Sequence, residues 1–349
     1  MMLVTLRDMQ WRARRIVIGL AATSLVLAIA AVLGALHDGF LDETDRTIGF
    51  FGGDTWVVPT GVSGPFTSNS PMAADTESVR QENGSQEVTP VAIFRHSVEG
   101  VGPAYTDVNV IAYAPNGVVV PRVVTGRAPL NVGEAAVDVQ LGVDVGHVMT
   151  LAGRRLDVVG TVRGLTYNGG TPTVLITLRE GQQIAYDGRD LASALVVRGI
   201  PRSVPPGLAT MAPTEVRDDL RRPLSVATTA LGLIAAMLWV VTAAIVGMLA
   251  FLSGLDRHRD FAVFKAHGVT TRRLVASLLL EGGFVSLLAG GLALLLAHLL
   301  LPLFPLEIEL SAGDGLRLVG LSLLVGLAAS TLSVRGVVRI DPALAFADG

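Results

Sequence analysis

The chain has 349 residues, half of them hydrophobic and 16% charged, and its mean hydropathy of +0.55 is too high for an ordinary soluble protein. A formal net charge of −3 leaves no basic excess for nucleic acid, and the lack of cysteine excludes disulfides, thiol catalysis and Cys-ligated metals. The single lysine, Lys265, follows Phe264 with no glycine-rich run before it, so the chain carries no P-loop and any ATP-driven step needs another polypeptide.

In chain order, residues 1–15 bring Arg7, Arg12, Arg14 and Arg15 ahead of an uncharged run from Ile16 to Leu36. That run spans about 31 Å as a helix, enough for a bilayer core. It exceeds the ~7–15 residues of a cleaved signal core and reads as an uncleaved transmembrane anchor. Residues 37–222 form one domain. Phe40, Thr44 and Ile48 recur every four residues and predict a helical stalk continuing the first span. Val-rich segments separated by turn signals predict strands. Val108–Tyr113 and Val118–Val124 flank Asn116-Gly117, a hairpin signal, and Val148–Leu151 and Leu156–Val162 flank Ala152-Gly153 in the same way. Residues 60–90, rich in Ser, Gly, Pro, Asn and Thr, predict a flexible excursion. Thr214 is placed to cap a short polar helix ending before Pro223. The domain therefore reads as mixed α/β with low helix content.

Three further apolar runs follow at 224–255, 274–301 and 316–334, giving an integral membrane α-helical protein with four transmembrane helices in a 1+3 arrangement. Lys and Arg gather in the N-terminus, the 256–273 loop and the 335–349 tail. The 302–315 loop holds Glu307, Glu309 and Asp314 and no Lys or Arg. This bias puts both termini and the 256–273 loop in the cytoplasm and the 37–222 domain outside. Arg217, Arg221 and Arg222 run against the rule, which long translocated domains tolerate.

Chemistry-bearing patterns are sparse. His37, His96, His147, His258, His267 and His298 never reach a metal-ligand spacing, so no metal site and no catalytic residue is assigned. Glu281 lies inside the third span, where a charge costs about 2.5–3.5 kcal/mol and must face protein or water. Two readings fit it, a gating contact and a static interhelical hydrogen bond. Gly282-Gly283 and Gly290-Gly291 permit close helix approach, within the chain or at a dimer contact. In the 256–273 loop, Phe261 and Phe264 are i,i+3 neighbours with Val263 alongside, Gly268 is a natural helix end, and Thr270 or Thr271 can cap the next span. On physics alone this segment fits either a helix lying on lipid or a helix docked in a partner's groove.

The run Asp256-Arg257-His258-Arg259-Asp260-Phe261-Ala262-Val263-Phe264-Lys265-Ala266-His267-Gly268 with Arg272-Arg273 resembles the cytoplasmic segment of FtsX/MacB-type ABC transporter permeases. Asp341-Pro342 in the tail, Leu280-Glu281-Gly282 and Gly290-Gly291 also fall where that family has its terminal Asp-Pro, Glu and paired glycines. In the external domain, Val88-Thr89-Pro90-Val91, Thr125-Gly126-Arg127, Gly133-Glu134 and Val158-Val159-Gly160 are similar to the family's periplasmic core domain. The form looks closest to compact actinobacterial members, some of which carry a glutamine-transport label that sits poorly with this span arrangement. Asp256 and Asp260 stand where the family usually has Glu, and His267 where it has an apolar residue.

The resemblance implies the membrane subunit of an ABC transporter, itself no enzyme, working with a second permease copy as a homodimer and with two copies of an ATPase subunit. The chain itself would bind no cofactor, and ATP and Mg would sit on the ATPase. The ATPase would dock on Phe261, Val263 and Phe264, on the charges Asp256, Arg257, Arg259, Asp260, Lys265, Arg272 and Arg273, and on the turn at Gly268. Glu281, Gly282, Gly290 and Gly291 would serve intramembrane gating or packing. Movement of the external domain would export or extract a lipid, lipoprotein, peptide or drug at the bacterial inner (plasma) membrane. The alternative implied is an FtsX-like regulatory subunit that activates a cell-envelope client enzyme without moving cargo.

Overall fold

A computed structural model describes residues 13–68, 70–83, 87–99, 105–256, 270–301 and 312–338. The chain divides into two units, Asp38–Thr228 and Met1–His37 with Thr229–Gly349. Helix α1 (Ala13–Phe51) contributes residues to both.

The first unit is built on a β-sheet. Its strands are β1 (Thr55–Pro59), β2 (Met72–Ala73), β3 (Val88–Glu99), β4 (Tyr105–Tyr113), β5 (Val123–Gly126), β6 (Glu134–Asp138), β7 (Val148–Leu151), β8 (Arg154–Val162), β9 (Thr166–Tyr167), β10 (Thr171–Thr177), β11 (Leu191–Ala192), β12 (Ala194–Val197) and β13 (Leu208–Met211). Short helices α2 (Thr76–Asn83), α3 (Leu178–Ala185) and α4 (Pro213–Arg221) interrupt them. The main sheet runs β13-β1-β12-β3-β4-β10-β6-β8-β5, with β7 joined to β3 and β8 and β9 joined to β10. Two pairings, β4 with β10 and β6 with β8, are parallel.

Side-chain alternation along β4 shows how the sheet gains two cores. Ile111 and Tyr113 face one way, with Ile48 and Phe51 of α1 and Val216 and Leu220 of α4. Val108, Val110 and Ala112 face the other, with Leu151, Leu156 and partly buried Leu178 and Ile184 around α3. A strand covered on both faces needs apolar residues at nearly every position, which the run Val108–Tyr113 supplies, with only the buried Asn109 polar.

The hairpin expected around Ala152-Gly153 is present, with Leu151 opposite Arg154. The one expected around Asn116-Gly117 is not: β4 pairs with β3 and β10, and β5 pairs with β8. Gly117 packs against Thr89 so closely that a Cβ would overlap it. The Val118 N–H donates to Thr89 Oγ1 at 2.6 Å, and Val118 and Val119 enter the core. The turn residues were read correctly, but both edges of β4 were already taken. The excursion expected over 60–90 also differs. Asp219 of α4 accepts the amides of Phe66 (3.0 Å) and Thr67 (3.3 Å) and the Thr67 hydroxyl. Beyond it β2 pairs with β11, and Val79 of α2 is buried with Val57 and Val197. Helix α4 starts at Pro213, one residue before the expected cap Thr214, and the Glu215 carboxylate accepts the Ala212 N–H at 2.7 Å.

The second unit is helical: the first part of α1, α5 (Ser225–Asp256), α6 (Thr271–Leu300) and α7 (Ala312–Val338). Among the described residues three helical runs are long and apolar enough to cross a membrane, Val17–Phe51, Pro213–Leu249 and Gly282–Leu300, and Gly315–Thr331 is a shorter apolar helix. Leu27 and Ala28 of α1 are buried with Ala289 and Ala293 of α6 and Leu318 of α7. Hydroxyls within these helices bond backward, Thr23 Oγ1 to the Gly19 carbonyl at 2.7 Å and Thr242 Oγ1 to Leu238 at 2.9 Å, which satisfies them without a partner chain.

Helices α6 and α7 meet through three reciprocal small-residue contacts. A Cβ on Gly282 would overlap Ser330, one on Gly326 would overlap Ser286, and one on Gly290 would meet Ser322. Each pairs a glycine with a serine four residues on from the last, so the backbones approach closely along two turns. The Ser322 hydroxyl bonds across the seam to the Ser286 carbonyl at 3.2 Å.

Three substitutions test these contacts through stability. Gly326→Leu is expected to cost about 1–3 kcal/mol through overpacking, read as a lowered unfolding midpoint of the detergent-purified chain. Gly291→Leu, where a Cβ meets nothing within 4 Å, is expected to leave that midpoint unchanged. Ala152 holds φ 53 at a hairpin position that favours Asn, so Ala152→Asn is expected to stabilise by about 1 kcal/mol in the same measurement.

Candidate functional site

Most of the expected ATPase-coupling segment, Arg257, Arg259, Asp260, Phe261, Val263, Phe264, Lys265 and Gly268, lies outside the described residues, as does the Asp-Pro of the tail. Its flanks are described. Asp256 is the last residue of α5, and Arg272 and exposed Arg273 lie in the first turn of α6. Thr270 takes the cap position with extended backbone, and its carbonyl, not its side chain, accepts the Arg273 N–H at 2.9 Å. Glu281 lies on α6 between Leu280 and Gly282. Gly282 and Gly290 belong to the α6–α7 seam, whereas Gly291 faces open space.

The sheet unit shows how its two flanking helices are held. On α1, the Glu43 carboxylate accepts the amides of Gly170 (2.7 Å) and Gly169 (3.3 Å). Burial pushes its pKa up, opposed by these amides and a side-chain hydrogen bond to Thr166. One turn on, Thr47 Oγ1 donates to the Thr166 carbonyl at 3.0 Å. Both contacts fix α1 to the turn between β9 and β10. Between them Asp45, on the opposite side, meets Arg217 Nε of α4 at 2.5 Å and Arg221 at 3.3 Å. Arg217 and Arg221 are i,i+4 neighbours and share one face of α4. The same helix holds the 64–67 turn through Asp219. Sequence reasoning treated Arg217 and Arg221 only as exceptions to charge bias. Their four-residue spacing was the available signal for a shared acidic partner.

A second polar centre orders the motif Thr125-Gly126-Arg127 and Gly133-Glu134. Arg127 forks onto both Glu134 oxygens at 2.7 and 2.6 Å, and Glu134 also accepts the Leu130 and Asn131 amides at 3.0 and 3.2 Å. The Arg127 guanidinium and these donors hold the Glu134 carboxyl far below the usual carboxylate range. Gly126 has φ +79, and a Cβ there would strike the Val159 carbonyl. Behind this loop Glu180, fully buried, accepts the Gly133 N–H at 2.8 Å and pairs with Arg154. These carboxylates are committed to structure and leave no acid–base pair poised on a substrate. Among the described residues no three His, Cys, Asp or Glu side chains converge to hold a metal ion.

Comparison with known proteins extends this geometry. Residues 232–342 match the model of the FtsX-like permease C-terminal family. Proteins named uncharacterized ABC transporter permease from Mycobacterium bovis and Mycobacterium tuberculosis are each 39% identical over 347 residues, covering 99% of both chains. A second Mycobacterium tuberculosis protein of that name is 36% identical over the same length. Among solved structures, the periplasmic region of MacB from Actinobacillus actinomycetemcomitans aligns with a TM-score of 0.36 at 12% identity, covering 50% of this chain and 96% of that one. The extracellular domain of the noncanonic ABC-type transporter YknZ from Gram-positive bacteria gives 0.32 at 11% identity, covering 46% and 98%. With relatives of this identity along its whole length, the chain belongs to the FtsX-like family of ABC transporter permeases and is a membrane protein.

Proposed function

We propose that this permease couples ATP hydrolysis on a separate ATPase subunit to movement of its sheet unit, which lies outside the cytoplasm. End-to-end similarity to ABC transporter permeases carries this reading. It is supported by the absence of a P-loop from the chain, so nucleotide chemistry falls to a partner. The 256–273 segment is the docking site, with Phe261 and Phe264 seated in the ATPase and the surrounding charges orienting it. Four spans run through α1, α5, α6 and α7, with the termini in the cytoplasm, and two permease copies receive two ATPases.

The Asp45–Arg217–Arg221 contact supports a mechanical role for the sheet unit. It ties together α1 and α4, the helices at the two ends of that unit, so displacement of either loads the same domain. The external domain then acts on a client or extracts a cargo rather than lining a channel.

The chain reconstituted with its candidate ATPase in lipid nanodiscs tests the docking site. Phe264→Asp is expected to abolish co-purification of the ATPase while the variant inserts and elutes as the wild type does. Retention of the ATPase by a folded Phe264→Asp chain would reject the docking site, and failure of the wild type to bind any ATPase would reject the coupling role.

A further inference from the structure

Three exposed arginines reach one end of the β5–β8 ladder from separate elements. Val123, the first residue of β5, lies opposite Val162, the last of β8, so Arg122 enters and Arg163 leaves at the same end of that ladder. Gly164 follows, and the Arg46 guanidinium of α1 lies against it, its Nη1 3.2 Å from where a Cβ would stand. Arg46, Arg122 and Arg163 are all exposed. Arg122 and Arg163 make no hydrogen bond or ion pair among the described residues. Arg46 spends only its Nε, on the Asp42 carbonyl at 3.4 Å.

The nearby carboxylates are otherwise engaged. Glu43, the acid whose charge Arg46 feels, points to the Gly169 and Gly170 amides. Asp138, opposite Val162 on the other side of β8, accepts the Leu165 and Gln140 amides.

Apolar surface accompanies the charge. Residues 120, 122 and 124 alternate outward, with Val120 68% and Val124 54% exposed, and a bulge between Val123 and Thr125 turns Val124 away from the ladder. Protection of an edge strand from aggregation explains a bulge in β5 and one arginine just before it. It does not explain Arg163 and Arg46, which other elements bring to the same place. Arginine forks match phosphate oxygens, and valines beside them suit the chain of an amphiphile.

We infer that Arg46, Arg122 and Arg163, with Val120 and Val124, form a binding site for a phosphate-bearing anionic amphiphile. The phosphate bridges the arginines at this end of the ladder, and the apolar part lies along the outer side of β5. Binding needs no ATPase, so its outcome is separate from that of the coupling role.

The test is equilibrium binding to the full chain in neutral detergent, using soluble dihexanoyl-phosphatidylglycerol, dihexanoyl-phosphatidylcholine and inorganic phosphate as probes. Saturable binding of the phosphatidylglycerol is expected, with the phosphatidylcholine at least about tenfold weaker. Each of Arg122→Gln and Arg163→Gln is expected to weaken it about tenfold, with an unfolding midpoint equal to wild type because both side chains are exposed. Arg198→Gln, which removes an arginine paired with Glu87, is expected to leave binding unchanged. Equal binding of the two lipids, or wild-type affinity in Arg122→Gln and Arg163→Gln, overturns the site. Inorganic phosphate binding as tightly as the phosphatidylglycerol overturns the amphiphile and leaves a free anion as the ligand.

Discussion

A carboxylate withdrawn from water is tolerated only where donors close around it, and the sheet unit uses that constraint wherever its chain is pinned. Glu43 gathers the Gly169 and Gly170 amides, Asp138 the Leu165 amide, Glu180 the Gly133 amide and Asp219 those of Phe66 and Thr67. The partners are 126, 27, 47 and 153 residues from their acids in the first contact of each. Each contact therefore closes a long loop and is formed only once the sheet is assembled. The turns they hold would otherwise leave backbone amides unpaired in partly buried positions.

That distance explains what the sequence did and did not disclose. Apolar runs were legible because a bilayer core demands some 20 consecutive residues of one kind, and α1, α5 and α6 follow them closely. The Ala152-Gly153 hairpin was legible because both its strands are adjacent in sequence and the N-terminal stretch of β8, ahead of its pairing with β5, receives β7. Asn116-Gly117 carried a stronger turn signal and still misled. Strand pairing is settled by competition for edges, and both edges of β4 are taken, one by β3, the strand just before it in sequence, and the other by β10, from much farther along the chain. The 60–90 stretch reads as a flexible excursion because it is rich in Ser, Gly, Pro, Asn and Thr. The turn at Phe66 and Thr67 is held by one buried aspartate on α4, which no local pattern announces.

The same distinction holds among the residues singled out for function. Small residues at Gly282 and Gly290 signalled close packing, but only the seam shows the partner serines, at Ser330 and Ser322, and the reversed pair Ser286 and Gly326. In lipid the hydrophobic effect does not drive helices together, so contact rests on dispersion and a few hydrogen bonds. A seam of alternating glycine and serine gives close backbones together with the Ser322–Ser286 bond. The paired glycine Gly291 does not share it, which separates two residues that the sequence presented as equivalent.

Magnitudes decide which contacts hold α1 and α4 to the sheet and which only orient them. Asp45 is half exposed, with 51% of its side-chain area accessible, and ion pairs of that kind contribute about 0–1 kcal/mol. Ile48, Phe51, Val216 and Leu220 are buried, and each apolar side chain of that size stabilises by about 1.5–3 kcal/mol. The apolar contacts therefore fix both helices to the sheet. The Asp45–Arg217–Arg221 contact adds direction rather than strength, because two arginines one turn apart on α4 meet the same carboxylate of α1.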